Sequence, residues 1–149
     1  VDSQLKFLSE IHSALAADSD VLAALGTSQG VTADMRIFPF IATVDAPMPY
    51  LVYAVRDSSG VNEQGFKEGV LIVDVWDFSS TFANVHALRD AVTRLLEHTV
   101  FTDGDTSTVL GHIYSSRSEV IPTDAENVLR QELRFEARYR QLAEVADYV

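Results

Sequence analysis

The chain has no cysteine, and only 4 of its 149 residues are proline and 7 are glycine. Without thiols there is no disulfide framework, no thiolate zinc site and no cysteine nucleophile. So little proline and glycine excludes collagen-like and low-complexity chains. Basic side chains are scarce too: 11 stand against 22 acidic ones, a formal charge of -11. That charge repels phosphate backbones and anionic membranes at long range, which argues against a sequence-reading DNA-binding protein. Long apolar runs are missing, and Asp2, Lys6 and Glu10 fall among the first ten residues, so neither a membrane span nor a secretory signal is expected. What is present is 47% hydrophobic residues, enough to build one core, and a single globular domain is expected over residues 1–149.

Helical spacing of Leu5, Leu8, Ile11, His12 and Leu15 predicts a helix over about residues 3–17, with Asp2 or Ser3 as its cap. Asp18 offers a second cap to a short helix of Val21, Leu22, Ala24 and Leu25, which Gly26 ends. Residues 36–38 form a short extended piece before Pro39, and residues 46–49 (APMP) are a second breaker. Two aromatic and β-branched runs, residues 50–56 (YLVYAVR) and 70–78 (VLIVDVWDF), read as strands of a hairpin whose polar tip spans 57–69. In the second, Leu71, Val73 and Val75 alternate with Ile72, Trp76 and Phe78, so both faces are apolar apart from Asp74 and both need cover. Val85, Leu88, Val92, Leu95 and Leu96 form the stripe of an amphipathic helix. Residues 102–107 read as a turn and 109–114 as a strand. Over residues 129–139, Leu129, Leu133, Phe135, Ala137 and Tyr139 share one face with Gln131, while Arg130, Glu132, Arg134, Glu136 and Arg138 share the other. The expected class is α+β: an antiparallel or mixed sheet with two main helices packed on one face.

The chemistry-bearing residues form no catalytic or metal-binding pattern. The four histidines stand in no H-x-x-x-H or H-E-x-x-H spacing, and no metal is expected. Asp103-Gly104-Asp105 lacks the later ligands of a calcium loop and reads as a turn. Ser115 and Ser116 have no G-x-S-x-G setting, and no glycine-rich phosphate cradle occurs, so no catalysis and no cofactor are expected. Asp74 is the most unusual carboxylate and reads as the partner of an arginine or as a position facing a neighbouring subunit. The Arg130–Arg138 ladder reads either as a charged edge that discourages aggregation or as a docking surface for acidic groups. The acid excess is concentrated in residues 61–127, with 11 acidic and 4 basic side chains.

The order of these elements, with the strings VLAALG (21–26), RIF (36–38), APMPYLVY (46–53), VDVW (73–76) before a helix starting near Phe82, and LRFEARY (133–139), resembles the tail-terminator or tail-completion proteins of long-tailed bacteriophages and related gene transfer particles. The resemblance spans about residues 5–140. It implies a structural virion protein, made in the host cytoplasm: a homo-oligomeric ring, usually a hexamer, at the head-proximal end of the tail. Such a ring caps the tail tube, ends its polymerisation and joins it to the head, with the tube protein and a head-completion or neck protein as partners and no membrane. DNA would pass through without specific binding, and the acid-rich segments, including Glu63, Glu68, Asp103 and Asp105, would lie near the channel or joining faces. The 57–69 tip, with Asp57, Glu63, Phe66, Lys67 and Glu68, would reach a neighbouring subunit or the tube, and Asp74, Trp76, Arg130, Arg134 and Arg138 complete the expected interface. Phe38-Pro39-Phe40 departs from the glycine that often follows the first strand, and residues 141–149 match no motif. Another neck protein, a tube subunit and, third, a small enzyme remain as alternatives.

Overall fold

A computed structural model describes residues 3–26, 36–43, 46–57, 66–78, 80, 82–104 and 108–140, with the side chains of 3–5 and 57 outside the description. The order is α1 (Ser3–Ala17), α2 (Ser19–Leu25), β1 (Ile37–Pro39), β2 (Tyr50–Asp57), β3 (Phe66–Phe78), α3 (Phe82–Leu96), β4 (Val100–Thr102), β5 (Val109–Ile121) and β6 (Val128–Arg140). The strands form one mixed six-stranded sheet in the order β1-β2-β3-β6-β5-β4. β1 runs parallel to β2, and the other neighbours are antiparallel. The class is α+β.

Local chemistry accounts for the ends of the elements. Asp18 caps α2 by accepting a 3.0 Å hydrogen bond from the Val21 amide, satisfying a first-turn donor that has no partner within the helix. Gly26 then closes α2 at φ 74, a left-handed conformation that glycine adopts without steric cost. His98, at φ 60, takes the same conformation just after α3, and the Thr99 amide bonds back to the Leu96 carbonyl.

Helices and sheet meet in one cluster. Leu51, Tyr53, Leu71, Val73, Val75, Leu133, Phe135, Ala137 and Tyr139 join Ile11 and Leu15 of α1, Val21 and Leu25 of α2, and Val85, Leu88, Val92 and Leu96 of α3. These strand residues are alternate positions of β2, β3 and β6, as the period-2 pattern requires. Asp77 and Gln131 are the buried polar members of that set. At the centre Phe7 stacks on Tyr139 with ring centroids 5.7 Å apart and meets Phe101 edge-on at 6.0 Å. Phe7 also fills the space that a side chain at Gly111 would need. The sequence reading built its stripe from Leu5 and Leu8 and passed over Phe7. Leu5 lies outside the described side chains.

Three expectations need correction. The polar tip expected over 57–69 is shorter, because Phe66, Lys67 and Glu68 open β3 in register with β6, from Phe66↔Arg140 onward. β5 continues to Ile121 rather than stopping at Tyr114, with a bulge between Ile113 and Ser116. β4 was not expected at all; its three residues pair with the first part of β5 and overlap the start of the expected turn. Just after β4, Asp103 is turned onto α1, where the Lys6 ammonium donates to its carboxylate at 2.7 Å and little of the side chain remains exposed. Asp105, Glu63 and residues 141–149 lie outside the described residues.

Candidate functional site

The positions of β2, β3, β6 and β5 that alternate with the core set carry a different chemistry, and apart from Leu110, beside the irregularity in the β4–β5 pairing, none of them belongs to the core cluster. The register arranges them in rows across the strands. One row holds three carboxylates: Asp74 of β3, Glu132 of β6 and Glu119 of β5 are paired side by side. Toward the β5–β6 turn the next row is Trp76, Arg130 and Ile121, and on the opposite side it is Ile72, Arg134 and Arg117. A row of like charges directly opposite one another is destabilising by itself. The arginines on both sides relieve it.

Arg130 Nη2 donates to Asp74 Oδ2 at 3.0 Å and approaches Glu132 Oε2 at 3.4 Å, while Arg134 Nε donates to the other Glu132 oxygen. Glu132 is thereby clamped from two sides, and only 7% of its side chain is exposed. That is the condition under which a carboxylate can be buried without losing its charge. Arg134 is held in its charged form mainly by its hydrogen bond to Glu132 and by the nearby carboxylate charge. Asp74 goes the other way. Burial raises its pKa, against the opposing pull of the Arg130 hydrogen bond and charge, because removal from water disfavours the carboxylate form. Its second oxygen, Oδ1, is buried with no hydrogen-bond partner among the described residues.

Aromatic rings lie beneath three of the arginines. The Arg130 guanidinium lies 5.4 Å from the Trp76 ring centroid, and Trp76 stacks on Tyr50 at 6.0 Å. Arg138 and Arg140 both lie over Phe66, at 5.1 and 4.5 Å. These are distances at which a cation gains from the ring's negative face. Burial also raises the Tyr50 pKa.

Six arginines, Arg56, Arg117, Arg130, Arg134, Arg138 and Arg140, occupy this face, more than half of the chain's 11 basic side chains. Of the residues expected at an interface, Phe66, Glu68, Asp74, Trp76, Arg130, Arg134 and Arg138 are brought together here. Lys67 pairs in register with Tyr139 and belongs to the other set of positions. Asp57 ends β2, with its side chain outside the description. Sequence reasoning missed Arg56, Arg117, Glu119 and the deep burial of Glu132. The signal for Glu132 was its place between Arg130 and Arg134. Arg117 and Glu119 gave none, because residues 115–119 are polar at every position.

Among the described residues no group of three or more His, Asp or Glu side chains is placed to hold a metal ion, and no helix is long and apolar enough to cross a membrane. The arrangement can present fixed cations, flanked by carboxylates and backed by aromatic rings, to an anionic surface.

No family model matches the chain, and no curated protein matches it. Among solved structures, its fold is similar to a chain of the virion of a native gene transfer agent particle, with a TM-score of 0.64 and 16% identity over 87% of this chain and 91% of that one. At that identity the likeness is one of fold.

Proposed function

We propose that this chain is a structural subunit of a phage-like virion that acts by assembling rather than by catalysis, and specifically that it is a tail-completion protein. In this reading copies of the chain form a closed ring, six in number, at the head-proximal end of the tail. The ring ends growth of the tube and joins it to a head-completion protein, and DNA passes through without specific binding. Helices α1 and α3 cover the core face of the sheet and leave the arginine-bearing face for protein contacts.

The observation that carries this reading is the fold likeness to a gene transfer agent virion chain across nearly the full length of both. The order of elements and the strings from VLAALG to LRFEARY agree with it. The face itself adds support, since arginines stacked on aromatic rings are characteristic of protein interfaces.

Electron microscopy of the purified protein in negative stain tests the reading. Closed rings of uniform diameter are expected. Open tubes of indefinite length would instead favour a tube subunit, and isolated monomers at high concentration would overturn the assembly reading.

A further inference from the structure

We propose that the arginine-bearing face of one copy receives the β5–β6 turn of the next, so that successive copies join head to tail. The proposal rests on the reading of the chain as self-assembling and identifies the two surfaces that meet.

The acceptor is a pair of adjoining hollows on the β3–β6–β5 face that share Val70 and Glu136. Arg117 and Arg134 line one, and Arg138 with Tyr114 and Glu68 lines the other. Arg117 stands directly opposite Arg134, a like-charge pair that costs stability unless an anion relieves it. Within the chain Glu132 serves Arg134, while neither Arg117 nor Arg138 has an ion-pair partner among the described residues. This face sets six arginines against five carboxylates, Glu68, Asp74, Glu119, Glu132 and Glu136, in a chain whose overall charge is -11.

The matching anionic surface lies on the same chain. Most described carboxylates away from this face are engaged internally: Asp18 caps α2, Asp20 pairs with Arg94, Asp90 with Arg89, Asp103 with Lys6, and Asp77 binds Asn84. Asp124 and Glu126 are not. Both are exposed in the turn between β5 and β6, and no basic residue occurs between Arg117 and Arg130. The turn has a defined shape, because the Thr123 hydroxyl reaches the carbonyls of Ala125 and Val128 at 3.0 and 2.9 Å. It is a compact acidic knob at the end of a hairpin.

A second copy fits this face better than a nucleic acid does. A continuous phosphate backbone would run across the Asp74, Glu132 and Glu119 row, whereas a two-carboxylate knob is short enough to meet Arg117, Arg134 and Arg138 without crossing that row. Knob and acceptor are different surfaces, so every copy carries one of each. That is the heterologous contact from which closed rings are made.

Charge reversal on each side tests the contact. The knob variant is Asp124→Lys with Glu126→Lys, and the face variant is Arg117→Glu with Arg138→Glu; none of these four residues has an ion pair to lose among the described residues, and circular dichroism verifies folding. Sedimentation velocity should show assembly of each variant weakened at least roughly tenfold. An equimolar mixture should recover it, because the Lys knob of one variant then meets the Glu face of the other, and the native knob meets the native face. Should Arg138→Glu disturb folding, Arg117→Glu alone serves as the face variant. If wild-type protein assembles and both variants assemble equally well, the contact is overturned while the assembly reading stands. If wild-type protein stays monomeric at high concentration, both fall. Duplex DNA binding at low salt that the face variant loses would assign the face to nucleic acid and overturn the contact.

Discussion

Arg130 reaches diagonally from β6 to Asp74 on β3, Nη2 to Oδ2 at 3.0 Å, and so ties the two central strands together on the face away from the core. The bond leaves Asp74 with a raised pKa, because burial outweighs the pull of the arginine. The folded protein therefore holds the Asp74 proton more tightly than the unfolded chain, whose carboxyl titrates near its ordinary value of about 3.9. Stability from this position is fully present below that value and declines as pH rises through the raised one. Asp74→Asn lacks this titration. Urea unfolding over that window should show the variant gaining stability relative to wild type as pH rises, then a constant difference. A relative loss over the same window contradicts the assignment.

Glu132 is the buried end of the same network, and Glu132→Ala removes the carboxylate that Arg134 donates to and leaves Arg130 with Asp74 alone. A loss of about 1–3 kcal/mol is expected, toward the lower end because the Arg130 and Arg134 side chains keep 28% and 36% of their exposure. Denaturant unfolding at neutral pH measures it. Gln at this position should recover only part of the loss, because its single carbonyl oxygen can accept from one of the two arginines while its amide NH2 faces the other.

The packing of Phe7 against Gly111 gives a coupled pair. Phe7→Ala should cost about 3–5 kcal/mol by opening a hole beside Tyr139 and Phe101, and Gly111→Ala about 1–3 kcal/mol by overpacking. In the double variant the new methyl enters the space the ring vacated, so the combined cost should fall short of the sum of the two. Additive losses in thermal unfolding would show that the two sites do not share that space.

Trp76 lies outside the core cluster, between Tyr50 and Arg130. Trp76→Ala should therefore cost the folded subunit less than Phe7→Ala does, about 1–2 kcal/mol, since one side of the ring is not packed against the core. It should also weaken self-assembly. Unfolding midpoints and sedimentation on the same preparation separate the two effects.

The helices and the central strands were legible because their patterns are periodic and their caps use ordinary chemistry. Asp18, Gly26 and the alternation along β6 all do in the structure what their residue types indicate. The failures lie where a strand lacks an apolar face. Residues 115–119 are polar throughout because β4 covers only the first part of β5, so no alternation marks the rest as strand. Lys67 and Glu68 resemble loop residues, yet β6 places Tyr139 and Arg138 opposite them. The arginines of the face could be read from β6, but the row of carboxylates that organises them could not. It exists only through the register of three strands that are separated in sequence.

The central claim is that the chain assembles with itself into a closed ring, and the mass of the assembled species tests it most directly. Native mass spectrometry over a concentration series should converge on one species near six times the 16.4 kDa subunit mass, with no larger members at higher concentration. A species that stays at 16.4 kDa throughout, or a distribution that lengthens without limit, would contradict it.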